Sequence, residues 1–78
     1  MPTVTIAEGY KIIVFVNDHP PPHVHVRKNG AQIKVMLTPI SYSSARGEPA
    51  PQQVRRAVEL VSEHLAACLA VWEKHHGD

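Results

Sequence analysis

One short segment of the chain holds most of the residues that could do chemistry. The run Asp18-His-Pro-Pro-Pro-His-Val-His25 supplies one carboxylate and three imidazoles, in a chain with six histidines among 78 residues. Imidazole titrates near pH ~6.5 and is a common metal ligand, so the run suits acid–base chemistry or metal coordination. His23 and His25 are two residues apart, which places both side chains on one face if they lie in a strand.

Metal coordination is one interpretation of this segment. Zinc accepts imidazole and carboxylate ligands. The candidate ligands are His19, His23 and His25, with the carboxylate of Asp18 as a further one. Nearby cations oppose this interpretation, because Lys34 is expected opposite His25 and like charges repel. An anionic substrate between the metal and the cation would remove that objection.

Acid–base catalysis without a metal is a second interpretation. One neutral and one protonated histidine, His23 and His25, could cleave RNA as general base and general acid. Arg27 and Lys34 would then stabilise the phosphate in the transition state. The candidate catalytic residues are therefore His23, His25, Arg27 and Lys34, and Arg46 or Tyr42 from a later loop could complete the set.

Two further interpretations need no catalysis. In the first, His23 and His25 are exposed strand residues, and His19 serves the turn formed by residues 17–22. In the second, the histidines contact a partner directly. The residue types alone leave all four interpretations open.

Two predicted β-hairpins position these residues. The first joins two strands of residues 3–16 through Glu8-Gly9, and the second joins two strands of residues 23–37 through Asn29-Gly30. Asn-Gly favours a type I′ turn, because both central residues of that turn need positive φ. The turn positions therefore predict which residues face each other within each hairpin.

Alternation along the strands divides the side chains of both hairpins between two faces. One face is predicted to pack against a helix and consists of Val4, Ile6, Ile13, Phe15, Val24, Val26, Ile33 and Val35. The opposite face is predicted to be uncovered and carries Tyr10, Ile12, Val14, His23, His25, Arg27 and Lys34. Apolar and titratable side chains together on an uncovered face indicate an interaction surface. The residues expected to contact a partner are Tyr10, Ile12, Val14, His19 and Arg46.

The second half of the chain is predicted to be a long loop followed by one helix. Residues 38–50 contain two prolines, a glycine and three serines, which is typical of a connection. Pro51 suits the first turn of a helix. Apolar residues then recur at helical spacing: Val54, Val58, Val61, Leu65, Cys68 and Trp72. One helix is expected from about Pro51 to about His75, with Gly77 as its cap.

These elements predict an α+β fold: an antiparallel sheet of about four strands in two hairpins, with one long C-terminal helix packed on one face. Residues 1–78 are expected to form a single domain, because 78 residues hold no more than one core. The net charge of +1 and the lack of a dense basic stripe do not by themselves require a nucleic-acid partner.

The composition also predicts the compartment. Cys68 is the only cysteine and cannot form an intramolecular disulfide, which favours a reducing environment. The N-terminus lacks the basic and apolar regions of a signal peptide, and no apolar stretch is long enough to span a bilayer. We therefore expect a cytoplasmic protein with no cofactor and no membrane partner.

Several sequence features resemble one family of small bacterial proteins. They are the Met-Pro-Thr-Val start, Gly9-Tyr10, the run from Asn17 to Val26, and Arg46-Gly47. That family is described only as a domain of unknown function and is recognisable by Asp-His-any-Pro-Pro-His-any-His-Val. The motif maps onto Asp18, His19, Pro21, Pro22, His23, His25 and Val26.

The resemblance implies a function in a two-gene module. Members of the family are often encoded beside a second small protein, and some are described as toxin–antitoxin components. The resemblance thus implies a small cognate protein, encoded nearby, as partner, with this chain on the toxin-like side. It carries over no catalytic residues. The expected function is partner binding in such a module, and a metal-independent ribonuclease, a metal-binding protein and a homodimer remain alternatives.

Overall fold

The computed structural model describes residues 2–76, which form five strands followed by two helices. The strands are β1 (Thr3–Ala7), β2 (Tyr10–Ile13), β3 (His23–Lys28), β4 (Ala31–Leu37) and β5 (Ile40–Arg46). They form one antiparallel sheet in the order of the sequence. The helices are α1 (Pro51–Glu63) and α2 (Leu65–His76). The predicted α+β class is confirmed, and Gly77, the expected cap, lies outside the described residues.

Both predicted hairpin turns are present. Glu8 and Gly9 have φ values of 55° and 79°, and Asn29 and Gly30 have values of 48° and 80°. Positive φ at both central residues matches the twist of the flanking strands. The turns set the predicted pairing beside them, including His25 opposite Lys34. A bulge in β1, between Thr3 and Thr5, shifts the pairing of the first hairpin at positions farther from its turn.

The expectation of four strands was wrong, because residues 40–46 form β5 and not a loop. A two-residue turn after Leu37 brings Ile40 opposite it, and β5 then pairs along β4. The register shifts between Lys34 and Val35. The strand is a sheet edge with mostly exposed side chains. Such an edge lacks the hydrophobic alternation that marks a strand in a sequence.

The expectation of one long helix was also wrong. The backbone leaves helical angles at His64, with φ −113° and ψ 24°, and α2 begins at the next residue. The His64 N–H donates to the Leu60 carbonyl, and the Cys68 N–H donates to the His64 carbonyl. Because the hydrogen bonds and the apolar spacing continue across His64, the sequence pattern shows no break.

The prediction of which β2 side chains point toward the helices was wrong. The observed arrangement changes which residues belong to the site. Ile12 pairs with Val26, so Tyr10, Ile12 and Val14 lie on the helix side with β3. All three are buried in the core, with Ile12 and Val14 fully inaccessible. The prediction that these three residues line an uncovered face, where a partner could contact them, is therefore wrong.

The core lies between one face of the sheet and the two helices. Its buried members are Tyr10, Ile12, Val14, Val24, Val26, Ile33, Val35, Leu37, Ala57, Leu60, Val61, Cys68 and Trp72. Burial of each larger aliphatic side chain contributes about 1.5–3 kcal/mol. Neither helix among the described residues is long and apolar enough to span a bilayer.

Candidate functional site

The sheet face turned away from both helices, here called the outer face, carries most of the predicted site residues. Strand pairing aligns Lys11 with Arg27, Ile13 with His25, His25 with Lys34, and Gln32 with Arg46. Because paired residues share a face, all of these side chains belong to the outer face. Ile13 was expected among the helix contacts, and its pairing with His25 places it here instead.

The connection between β2 and β3 folds over one end of the outer face. A hydrogen bond from the Asp18 N–H to the Phe15 carbonyl, 3.1 Å long, closes a turn in this connection. The Phe15 ring lies 4.3 Å from the ring of His25, centroid to centroid. The Arg27 guanidinium carbon lies 5.6 Å from the same phenyl centroid. Phe15, expected in the helix-side core, thus covers part of the outer face.

The carboxylate of Asp18 joins two histidines of β3. Its Oδ2 lies 2.8 Å from Nε2 of His23 and 2.8 Å from Nε2 of His25. The exposed fractions of the side chains are 28%, 5% and 12% for Asp18, His23 and His25. We call these three residues the histidine–aspartate cluster. A buried contact this short must hold a proton or another cation between its nitrogen and oxygen atoms.

The hydrogen bonds of His23 define its charge. Its Nδ1–H donates to the Pro21 carbonyl at 2.8 Å. A carbonyl oxygen can only accept, so Nδ1 carries a hydrogen. Its Nε2 must also carry a hydrogen to donate to Asp18, which makes the ring an imidazolium in the metal-free cluster. The positive ring then balances the carboxylate.

The hydrogen bonds of His25 define a different tautomer. The Arg27 Nε–H donates to Oε1 of Gln32 at 3.0 Å. Arginine has no acceptor, so this contact orients the amide and turns its NH2 group toward His25. That NH2 donates to Nδ1 of His25 at 3.3 Å. His25 is therefore neutral, with its only hydrogen on Nε2, and donates it to Asp18.

The pKa shifts of His25 and Asp18 agree with a neutral His25 and an ionised Asp18. Burial lowers the pKa of His25, and the hydrogen bond with Asp18 opposes this without cancelling it. Partial burial raises the pKa of Asp18, but the hydrogen bonds from His25 and His23 outweigh it and the net shift is downward. A neutral His25 beside an ionised Asp18 is the expected state.

The cluster also touches the helical layer. The ring centroid of His23 lies 5.1 Å from that of Trp72 in α2. Trp72 in turn stacks on His76 at 3.7 Å between centroids. Because His23 lies at the first position of β3, its ring contacts both the outer-face cluster and the end of α2. The cluster is thus held from both sides of the sheet.

The structure brings several predicted residues together beside the cluster. His25, Lys34 and Arg46 line one shallow pocket of about 240 Å³, together with Gln32, Ser44 and Ala45. Arg27 reaches the same place through its hydrogen bond to Gln32. The predicted grouping of basic side chains around His25 is therefore present, and Arg46 arrives on β5 rather than on a loop.

His19 is placed differently from the prediction. It is exposed and is not among the side chains whose donor atoms converge. Within residues 2–76, the donor atoms of Asp18, His23 and His25 all lie within 4.8 Å of one another, a spacing that could hold a metal ion. Of the four candidate ligands, Asp18, His23 and His25 therefore converge, and His19 does not.

Two contributors were missed as site residues. Gln32 fixes the tautomer of His25, and Phe15 packs on its ring. The pairing of Arg27 with Gln32 follows from the Asn29-Gly30 turn, so the position of Gln32 was available from the sequence. The position of Phe15 was not, because it depends on how the proline-rich connection folds back.

The comparisons with known proteins identify one family. Residues 9–73 match the family model described as Domain of unknown function (DUF4160). No match was found among the curated proteins or among the solved structures. The matched range includes the histidine–aspartate cluster and the basic and amide residues of the outer face: Lys11, Arg27, Gln32, Lys34 and Arg46.

Proposed function

The chain belongs to the family described as Domain of unknown function (DUF4160), and we propose that it is a partner-binding component of a two-gene, toxin–antitoxin-like module in the cytoplasm. The proposed binding surface is the outer face of the sheet. The proposed partner is a small protein, encoded nearby, that presents an acidic surface.

The unequal distribution of charge between the two sides of the molecule is the observation that supports this proposal. Four of the eight lysines and arginines lie on the outer face: Lys11, Arg27, Lys34 and Arg46. On the helix side, Arg56 contacts three of the seven carboxylates: Glu8, Glu59 and Glu63. The outer face is therefore basic although the net charge of the whole chain is only +1.

The basic face contains one pair of like charges that repel each other. Lys11 lies directly opposite Arg27. Like charges at opposed sheet positions are destabilising. An acidic partner would replace this repulsion with attraction and would also accelerate association. Ile6, which pairs with Lys11 and is 64% exposed, adds an apolar contact at the edge of the same face.

The test is binding to the protein encoded beside this chain, measured by titration calorimetry. Reversing two outer-face charges, Lys34→Glu with Arg46→Glu, should weaken binding by at least about tenfold. The matched control is Arg55→Glu with Lys74→Glu, which changes the net charge equally on exposed helix positions. Binding by the control should stay close to that of the parent. Equal loss in both variants, or no binding by the parent, would overturn the proposal.

Ribonuclease action at the same face is the second candidate. The four cations of the outer face suit a phosphodiester as well as they suit a carboxylate. However, every ring nitrogen of His23 and His25 already takes part in a hydrogen bond, so proton transfer would require breaking one of them. Cleavage of bulk RNA that persists with a chelator and disappears in His25→Ala would favour the ribonuclease over the partner-binding proposal.

A further inference from the structure

We propose that the histidine–aspartate cluster is a site for one divalent transition-metal ion of the zinc class. The ligands are Nε2 of His23, Nε2 of His25 and a carboxylate oxygen of Asp18. This site differs from the set expected from the sequence, because it keeps Asp18, His23 and His25 and leaves out His19. The inference is independent of the partner-binding proposal and is tested on the isolated chain.

The spacing of the donor atoms suits a small metal ion. The donor atoms of the three side chains lie within 4.8 Å of one another, and both imidazole nitrogens lie 2.8 Å from Oδ2 of Asp18. Zinc bonds to nitrogen and oxygen are about 2.0–2.2 Å long, which separates neighbouring ligand atoms by roughly 3.4 Å in a tetrahedral site. Side-chain rotation that lengthens each of the two contacts with Oδ2 by about 0.6 Å therefore admits the ion.

The orientation of His23 is that of a metal ligand. Its Nδ1–H donates to the Pro21 carbonyl, which turns Nε2 toward Asp18. A backbone carbonyl that accepts from the far nitrogen is a common support for a metal-bound histidine. The contact between Nε2 and the carboxylate requires a cation, and a metal ion can replace the proton there. The three ligands and the supporting carbonyl all come from the segment of residues 18–25.

Gln32 controls the second histidine. If Nε2 of His25 binds a metal, the hydrogen of the neutral ring moves to Nδ1 and needs an acceptor. Gln32 now offers Nδ1 a donor, because its oxygen is occupied by Arg27. Metal binding therefore requires the amide to turn over and to give up Arg27. A carboxylate at position 32 could accept from both groups at once, and carboxylate–histidine–zinc arrangements raise metal affinity about 10–100-fold.

The neighbouring cations limit which ligand completes the site. Lys34 lies directly opposite His25, so its positive charge is close to the proposed ion. With three protein ligands, zinc keeps a fourth position for water or another ligand. Beside Lys34, that position favours hydroxide or another anion, which offsets the added positive charge.

The test is metal binding by the untagged full chain, with zinc measured by titration calorimetry and cobalt by its visible absorption. The parent should bind one ion. Asp18→Asn and His25→Gln should each reduce the association constant by at least about tenfold. Gln32→Glu should increase it by at least about tenfold. The last variant is decisive, because misfolding cannot produce a gain in affinity.

Two controls separate this site from other histidines. His19→Ala and His75→Gln change exposed imidazoles outside the cluster and should leave binding unchanged. The proposal is overturned if the parent binds no metal, if either control removes binding, or if Gln32→Glu does not tighten it. Each of these results concerns the chain without its partner, so failure here leaves the partner-binding proposal standing.

Discussion

Two charged clusters lie on opposite sides of the sheet. In each, one central ion contacts several side chains, and the central ion is a cation in the first cluster and an anion in the second. On the helix side, one cation, Arg56, contacts three carboxylates: Glu8, Glu59 and Glu63. Near the outer face, one carboxylate, Asp18, contacts two imidazoles, His23 and His25. The first cluster joins α1 to the β1–β2 turn, and the second joins the β2–β3 connection to β3.

Exposure to water separates these two clusters energetically. The carboxylates around Arg56 are 53–55% exposed, whereas the His23 and His25 side chains are 5% and 12% exposed. Water and salt screen exposed pairs, which contribute little to stability. A buried polar group that loses its partner has no water to replace it. Two clusters with similar contact lists are therefore expected to differ in energetic importance.

Removal of the central carboxylate should have the largest effect. Asp18→Ala leaves two largely buried imidazole donors without an acceptor, and it should lower the free energy of unfolding by about 3 kcal/mol. Urea denaturation followed by circular dichroism, in the presence of a chelator, measures this loss without a contribution from metal. A loss below about 1 kcal/mol would contradict the importance assigned to burial.

Removal of the amide that supports His25 should have an intermediate effect. Gln32→Met keeps the length of the side chain but loses its hydrogen bonds with Arg27 and His25. We expect a loss of about 1 kcal/mol in the same denaturation experiment. The nitrogen resonances of His25 in NMR spectra should also show loss of the single tautomer, because nothing else described here directs a donor at Nδ1.

Removal of Arg56, whose carboxylate partners are exposed, should have the smallest effect. Arg56→Gln breaks contacts with three carboxylates but leaves every one of them accessible to water. We expect a smaller loss of stability than in Gln32→Met, and the difference from the parent should vanish at about 1 M salt, where screening acts within about 3 Å. A larger loss than in Asp18→Ala would reverse the comparison.

The rate at which the single cysteine is labelled offers an independent measure of how much each substitution lowers the free energy of unfolding. Cys68 is fully buried, and burial raises the pKa of its thiol to about 11. Labelling by a disulfide reagent at pH ~8 should therefore wait for opening of the core. A loss of about 3 kcal/mol corresponds to roughly 100-fold faster labelling in Asp18→Ala. Arg56→Gln should label at nearly the parental rate.

Local turn chemistry made much of the sheet predictable. Asn29-Gly30 and Glu8-Gly9 each require positive φ at two positions, and this requirement sets the pairing beside each turn. His25 opposite Lys34 follows directly from it. The apolar spacing after Pro51 predicted the helical region for the same reason: each signal acts between residues near in sequence.

The facing of the first hairpin was not predictable in this way. Each face of β2 carries an isoleucine, since Ile12 and Ile13 are almost fully buried on opposite sides, and Lys11 is the one polar residue that marks the Ile13 face. Apolar alternation alone therefore does not distinguish the two faces, and a shift of one residue exchanges them. The pairing of Ile12 with Val26 makes the choice, because it aligns the helix-side face of β2 with that of β3. The same ambiguity led to the wrong exposure for Tyr10 and Val14.

The sequence by itself determined the two turns, the helical region and the residue types of the candidate site, because these depend on local conformation and short spacing. Tertiary structure alone decided that Asp18 rather than His19 joins His23 and His25. It also decided that Gln32 selects the tautomer of His25. Both outcomes depend on contacts made when the connection and β4 pack against β3. Burial then makes those contacts strong, and burial is a property of the whole fold.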